Sequence, residues 1–460
     1  MQKKLSKYTK PVARKKSTHI SRKNRSKIHQ ALNQAKQPNA PAFHIVYNSD
    51  ILTAKQQQRE TTMRALEDIT ILDLTHMLSG PYATQLLADM GANTIKIEPP
   101  QGEATRKLLA DNEHYAIDGQ GAYFLTLCRN KQSVCIDLKS DTGKALFYQL
   151  VTKADVVVNN FAEGVPKRLG IDFETLKHHN PNIITCSITG FGETGPERDR
   201  PAFDLVAQGM GGGMSITGEE GGAPLRAGIP IGDLGGGMFA VMGILSALHA
   251  RQRIGRGQHV DISMQDCQIS LLNYMATMYL MSGVQPPAVG NSHFVHVPYG
   301  TFRTQTRHLI VACMGDGFYA RLAQLLDDGF LLEARFQEQP QRWEHRHEIN
   351  ARVQTHFASE SCEYWLDQLK QHRIPAAPVN DFAHAFADAQ VQARCMQIEV
   401  PLQNGQSVHQ PGNPIKLSET FADTYTAPPT LGQDTDTVMR ELLALSDEEI
   451  LTLREQGVIF

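Results

Sequence analysis

The chain has 460 residues, 41% of them hydrophobic and 20% charged, and a formal net charge of −3. That length allows more than one hydrophobic core, and the near-neutral charge gives no reason to expect a nucleic-acid partner for the whole protein. No run of eighteen apolar residues escapes polar or charged interruption, so neither a membrane-spanning helix nor a membrane partner is expected.

The seven cysteines, at 128, 135, 186, 267, 313, 362 and 395, are scattered and never form C-x-x-C. That spacing argues against a zinc site or a disulfide framework and suits a reducing, cytoplasmic setting. Residues 1–36 carry twelve Lys or Arg, and no acidic residue precedes Asp50. The stretch is Lys-led, poor in Leu, and lacks the apolar segment of a secretory signal. Residues 1–62 are therefore expected to be a solvated, disordered extension rather than a targeting peptide or a nucleic-acid arm. Ordered structure is expected from Met63, which could itself be the start codon.

From Ile69 the pattern is strand, helix, strand. Ile69–Thr75 reads as a buried strand, Gly80-Pro81 as a break, Ala83–Met90 as a helix and Thr94–Glu98 as a strand. Further alternation follows: a strand at Ser133–Leu138, a helix at Gly143–Lys153, a strand at Val156–Asn159, a helix at Phe173–His178 and a strand at Ile183–Ile188. These βαβ units predict an open, Rossmann-like α/β sheet with helices on both faces. After a glycine-rich stretch over 209–237, a helix is predicted at Met238–Arg253 with Gly255 as its stop. A short strand at Val260–Ser263 and helix to about Met281 complete a large domain over 63–282. Residues 283–299 read as a linker rich in Pro, Gly and His. Residues 300–390 read as a smaller α/β or α+β domain, with strands at Thr301–Arg303 and His308–Ala312 and helices at Phe318–Leu326 and Cys362–Gln371. Pro375–Pro378 reads as a boundary. Residues 391–460, with a strand at Gln397–Val400 and a last helix at Asp447–Gln456, are expected to return to the large domain.

Within Gly228–Met238, Asp233 is one carboxylate among several glycines at a helix mouth. Glycines let a ligand approach the backbone, and free N–H groups there can face a developing oxyanion. The helix start favours an ionised aspartate, and a free Asp, with a pKa near 3.9, is already an anion at neutral pH. Such a residue could attack a thioester without a partner base. It is equally what a helix N-cap looks like, and the local sequence leaves both readings standing. Gly209-Met-Gly-Gly-Gly-Met fails the dinucleotide fingerprint, and no P-loop is present. No permanently bound cofactor is expected.

Longer motifs carry a resemblance. Ile71-Leu-Asp-Leu-Thr-His-Met-Leu-Ser-Gly-Pro-Tyr-Ala and Leu87-Ala-Asp-Met-Gly-Ala-Asn-Thr-Ile-Lys-Ile-Glu are followed by Asn130-Lys-Gln-Ser, Arg168-Leu-Gly, Thr189-Gly-Phe-Gly, Pro201-Ala-Phe-Asp-Leu-Val-Ala-Gln, Gly232-Asp-Leu-Gly-Gly-Gly and Gly255-Arg-Gly-Gln-His-Val-Asp. Together they resemble the class III CoA-transferases, which include formyl-CoA transferase and carnitine CoA-transferase, from Leu66 to the C-terminus. The resemblance implies a nucleophile at Asp233, coenzyme A or acyl-CoA as substrate, and an interlocked homodimer. It implies CoA contacts at His76, Leu78, Ser79, Ile136, Lys139, Asn160, Phe161 and Arg168. Asp204 matches a supporting acid, Arg106 is a substrate-side candidate, and Gly235, Gly236 and Gly237 are candidate oxyanion donors. No metal is required by such a reaction.

Two departures argue against oxalate as substrate. A four-glycine run is absent between 285 and 310, where Pro298-Tyr-Gly300 stands, and Leu108 occupies the position of a family Trp. A larger or more apolar acid is expected. The alternative of an α-methylacyl-CoA racemase needs a His where Phe203 stands, and Phe cannot exchange a proton. A non-catalytic CoA-binding protein is a further alternative.

Overall fold

A computed structural model describes residues 63–420 and 423–460, so the expected basic extension lies outside the described residues. In chain order the first part runs β1 (Thr70–Asp73), α1 (Ser79–Asp89), β2 (Asn93–Glu98), a small hairpin of β3 (Ala116–Ile117) and β4 (Gln120–Gly121), α2 (Ala122–Leu127), β5 (Lys131–Cys135), α3 (Asp141–Val151), β6 (Val156–Asn159), α4 (Val165–Leu169), α5 (Phe173–His179) and β7 (Ile184–Thr189). There follow α6 (Asp204–Met210), α7 (Ile231–Ile254), β8 (His259–Ser263), α8 (Met264–Leu272) and α9 (Tyr274–Ser282).

Six of these strands form one parallel sheet in the order β5-β2-β1-β6-β7-β8. Numbered by their own succession that is 3-2-1-4-5-6, the doubly wound order, which reverses between β1 and β6. Adjacent strand residues point to opposite faces, and here both faces are covered. Leu72, Ile95, Val134 and Val157 pack with Phe147 and Leu150 of α3 and Leu176 of α5. Ile71, Val156, Val158, Ile184 and Ile188 pack on the opposite face with Leu87 of α1 and Ala240 and Ile244 of α7. The Rossmann-like sheet expected from the sequence is the one observed.

Helix α7 begins seven residues before the predicted Met238. Glycine disfavours helix by about 1 kcal/mol per residue, yet these glycines are helical because they let α7 lie against α1. A Cβ on Gly236 would sit 2.8 Å from Ser79 Oγ, and one on Gly237 2.7 Å from the Ser79 carbonyl oxygen. The helix ends at Gly255 as expected, with φ +66°. Its 24 residues reach a mean hydropathy of 1.6 over eighteen positions, so, contrary to expectation, one helix is long and apolar enough to cross a membrane. It is a core helix, with Ala240, Val241, Ile244, Ala247 and Leu248 buried on the sheet. The helix expected to run to Met281 is broken at Asn273, where φ is +49°.

Three antiparallel strands, β9 (Tyr299–Arg303), β10 (His308–Ala312) and β11 (Ala376–Pro378), make a second sheet. The stretch read as a boundary at Pro375–Pro378 thus supplies an edge strand, where proline is tolerated. The sheet shares a core with α10 (Asp316–Leu326), α11 (Gln339–Glu344), α12 (Arg346–Phe357) and α13 (Cys362–Gln371), built on Phe302, Val311, Tyr319, Leu322, Phe357 and Trp365. Two short helices, α14 (Phe382–Ala387) and α15 (Ala389–Ala393), lead to the hairpin β12 (Gln397–Pro401) and β13 (Ser407–Pro411), then to α16 (Thr435–Leu443) and α17 (Asp447–Glu455). This C-terminal part covers the free edge of β5. Ser133 N–H donates to Asp434 Oδ2 at 2.8 Å, Asp137 N–H donates to the Val458 carbonyl at 3.0 Å, and Ile136 bridges Ile459.

Candidate active site

The strand order reverses between β1 and β6, and sheets of this kind carry their ligand crevice there, at the carboxyl ends of the strands. His76 and Asn160 meet there. His76 N–H donates to Asn160 Oδ1 at 2.9 Å, and Asn160 Nδ2 donates to the His76 carbonyl at 2.7 Å. The rings of His76 and Phe161 lie 5.4 Å apart. Burial, with Lys96 beneath it, lowers the His76 pKa and favours the neutral imidazole.

Under the crevice lies a buried charged network. Lys96 Nζ donates to the Thr75 carbonyl at 2.7 Å. Lys131 Nζ donates to Asp73 Oδ2 at 2.9 Å, to the Pro81 carbonyl at 3.0 Å and to Thr84 Oγ1 at 2.8 Å. Burial alone would raise the Asp73 carboxyl, but Lys131 and Lys96 together hold it well below the usual carboxylate range. The two lysines fasten the end of β1 and the first turn of α1, so the intervening residues His76–Leu78 are held at both ends. Met77 takes φ +62° there, a strained backbone for a non-glycine residue.

Ser79, at the first position of α1, is buried, and its Oγ donates to the Asp233 carbonyl at 2.9 Å. That bond brings the crevice and the glycine-rich region together. Asp233 is the third residue of α7 and is not its cap. The cap arrives from α6: Asp204 Oδ1 accepts the Gly232 N–H at 2.8 Å and the Asp233 N–H at 3.4 Å, while its Oδ2 accepts from Gln208 Nε2 at 2.8 Å. A carboxylate on the N–H groups of the second and third positions is a standard cap interaction, here supplied through space. Burial, and then the neighbouring Asp204 charge, push the Asp233 carboxyl up from 3.8 to about 6. The sequence-based value near 3.9 is therefore corrected upward.

Three other expectations change. Gly235, Gly236 and Gly237 lie inside α7, so their N–H groups belong to the helical ladder rather than to a free oxyanion site. Arg106 is committed elsewhere: its Nε and Nη2 each donate to Glu98 at 2.6 Å, and Nη1 donates to the Pro429 carbonyl. It is thus a structural ion pair, not a free substrate-side cation. The Ile136 side chain belongs to the core beneath α3, leaving only its main chain for a ligand. Leu78 flanks the start of α1 and packs on Phe124 and Cys128. Lys139 and Arg168 are exposed and form no ion pair among the described residues. Tyr123, on α2, was missed. It is half-buried, and burial followed by the charges of Asp233, Glu103 and Asp204 pushes its phenol up to about 12. Nothing in its local sequence marks it; only the fold brings it near the aspartates.

Residues 66–435 match the model of CoA-transferase family III. The chain belongs to that family. As a family III CoA-transferase it moves CoA between acyl-CoA and carboxylic acids. It is 38% identical over 368 residues to the succinyl-CoA:mesaconate CoA-transferase of Haloarcula hispanica, covering 78% of this chain and 91% of that one. It is 36% identical to the succinate–glutarate CoA-transferase of Agrobacterium fabrum, covering 82% and 95%. Among solved structures, a CaiB/BaiF family protein from Brucella suis aligns with a TM-score of 0.75 at 35% identity, over 83% of this CoA-transferase and all of that chain.

Proposed function

We propose that this CoA-transferase exchanges CoA between dicarboxylic acids through covalent intermediates on Asp233. The observation that carries the reading is the 2.9 Å bond from Ser79 to the Asp233 carbonyl, which holds the aspartate beside the crevice of His76, Asn160 and Phe161. With a pKa of about 6 the carboxylate is mostly ionised at neutral pH and needs no partner base.

The reaction runs in four steps. Asp233 Oδ attacks the donor thioester carbon; the C–S bond breaks, leaving an acyl-aspartyl anhydride and CoA thiolate. The thiolate attacks the side-chain Cγ of Asp233 in that anhydride, expelling the donor acid as carboxylate and leaving an aspartyl-CoA thioester. The acceptor carboxylate attacks that thioester, giving a new anhydride and the thiolate again. Attack of the thiolate on the acceptor carbon forms the new acyl-CoA and frees Asp233. Each step exchanges one anion for another, with no net proton or electron. Lys139 and Arg168 offer charge to the CoA phosphates, and binding of the CoA body keeps the thiolate close between steps. The protonated Tyr123 phenol is a candidate oxyanion donor, and the start of α7 adds a partial positive charge.

The named relatives act on succinate, glutarate and mesaconate, which supports a four- or five-carbon diacid here, in line with Leu108 and Pro298–Gly300 departing from the oxalate pattern. The racemase alternative lacks its second acid–base group, since Phe203 stands there. An interlocked homodimer is supported by the exposed apolar side chains of α9, among them Leu280 and Met281. Seven free cysteines support a reducing, cytoplasmic setting.

The test is transfer of CoA from succinyl-CoA to glutarate by Asp233→Ala. Loss of a nucleophile should lower kcat by about 10³-fold or more, and hydroxylamine should trap a hydroxamate at position 233 in the unaltered protein. Full exchange by the variant would remove Asp233 from the mechanism.

A further inference from the structure

An acceptor acid must bring its own negative charge up to Asp233, and a diacid brings two. At the entry of α7 it meets more negative charge, because Asp204 caps the helix into which Asp233 is built. Seating a second carboxylate there calls for a cation. Most cations around the crevice are already engaged: Arg106 with Glu98, Lys131 with Asp73, Arg129 with Asp89, and Arg200 with Glu197. Lys96 is spent inside the buried network on the Thr75 carbonyl.

Arg226 differs from all of these. It is the only Lys, Arg or His between Arg200 and His249, and it lies seven residues ahead of Asp233. It is exposed and forms no ion pair among the described residues; its guanidinium makes one long bond, 3.4 Å, to the carbonyl of its neighbour Ala227. The backbone beside it is nonetheless anchored. Ala227 N–H donates to Gln208 Oε1 at 2.9 Å, and Gln208 Nε2 donates to Asp204 Oδ2 at 2.8 Å. Asp204 in turn holds the N–H groups of Gly232 and Asp233. Gln208, the middle member of this relay, is 3% exposed. On either side, Leu225 and Ile229 expose apolar side chains, which suit the methylene chain of a short diacid.

We infer that Arg226 binds the distal carboxylate of a dicarboxylic acid whose other carboxyl reacts at Asp233, and so sets a preference for diacids over monoacids. The guanidinium fork matches a carboxylate bidentately. The inference rests on the proposed transfer through Asp233 and adds to it the residue that reads the substrate's far end.

The experiment compares glutarate with pentanoate, acids of equal chain length that differ by one carboxylate, as CoA acceptors from one donor. In Arg226→Met the glutarate-to-pentanoate ratio of kcat/KM should fall about 30-fold, the effect of a charged hydrogen-bonded pair. Arg226→Lys should recover part of the ratio. Thermal unfolding of each variant should match the unaltered protein, as expected for an exposed side chain. An unchanged ratio in Arg226→Met overturns the inference, as does an unaltered protein that uses both acids equally; in either case CoA transfer itself stands. If the unaltered protein moves CoA to neither acid, the proposed function fails and the inference fails with it.

Discussion

In the proposed mechanism Asp233 must be an anion to attack, yet it sits where burial and a second carboxylate disfavour the anion. The consequence for rate is direct. With a carboxyl pKa of about 6, kcat/KM for the acyl-CoA should fall about tenfold per pH unit below 6. A rate profile with its acid limb near 4 would contradict this. Stability carries the opposite sign. The folded pKa lies above the ordinary 3.8, so the folded chain binds this proton more tightly than the unfolded one. The contribution favours folding below about 4 and is lost as pH rises through about 6. At pH 7, Asp233→Asn should therefore be more stable and raise the thermal midpoint, the gain being at most the roughly 3 kcal/mol that two pKa units represent, and less because solvent reaches a half-buried group. At pH 4 the two proteins should unfold together. A variant that is less stable at both pH values would mean that the carboxylate is held by contacts favouring its charged form.

At the scale of elements, the entry of α7 shows what a sequence can and cannot disclose. Val156–Asn159, His308–Ala312 and Cys362–Gln371 were placed with the observed bounds, because apolar runs or amphipathic spacing bounded by turn residues fix them locally. The first two turns of α7 were not legible, since Gly232 and Gly235–Gly237 read as loop until α1 is laid against them. The role of Arg106 was hidden for a similar reason: its partner Glu98 belongs to a strand whose polar side chains look solvent-facing in sequence but are buried. Asp204 as a cap for another helix, and Tyr123 near Asp233, are products of the fold alone. The close crossing can be tested. Gly237→Ala would place a methyl 2.7 Å from the Ser79 carbonyl oxygen and 3.0 Å from Tyr82 Cδ1. Backbone cannot yield as a flexible side chain does, so overpacking should cost about 1–3 kcal/mol and strain the Ser79–Asp233 contact, lowering kcat as well. Gly213→Ala, with nothing within 4 Å of its added methyl, should leave unfolding unchanged. Equal midpoints for the two variants would show that α1 and α7 are not tightly apposed at Gly237.

At the scale of the whole molecule, one surface is at odds with a chain that works alone. Helix α9 has no buried residue, although Leu280 and Met281 are apolar and 79% and 83% exposed. Neighbouring elements add Met242 of α7, Ile269 and Leu271 of α8, and Phe203 beside α6. Scattered exposed apolar side chains are ordinary, but a group of this size spread over four neighbouring stretches supports the proposed homodimer. The same stretches carry the proposed nucleophile Asp233 and its cap, so a second copy seated on them would also shield the reacting carbon from water. Light scattering should give the unaltered protein the mass of two chains. Replacing Leu280 and Met281 together by Glu places two charges on that surface, where burying either without a partner is strongly disfavoured. The double variant should therefore appear at the mass of one chain and lose most of its transfer activity. A single-chain mass for the unaltered, active protein would mean that α9 meets some other surface and that one copy suffices for catalysis.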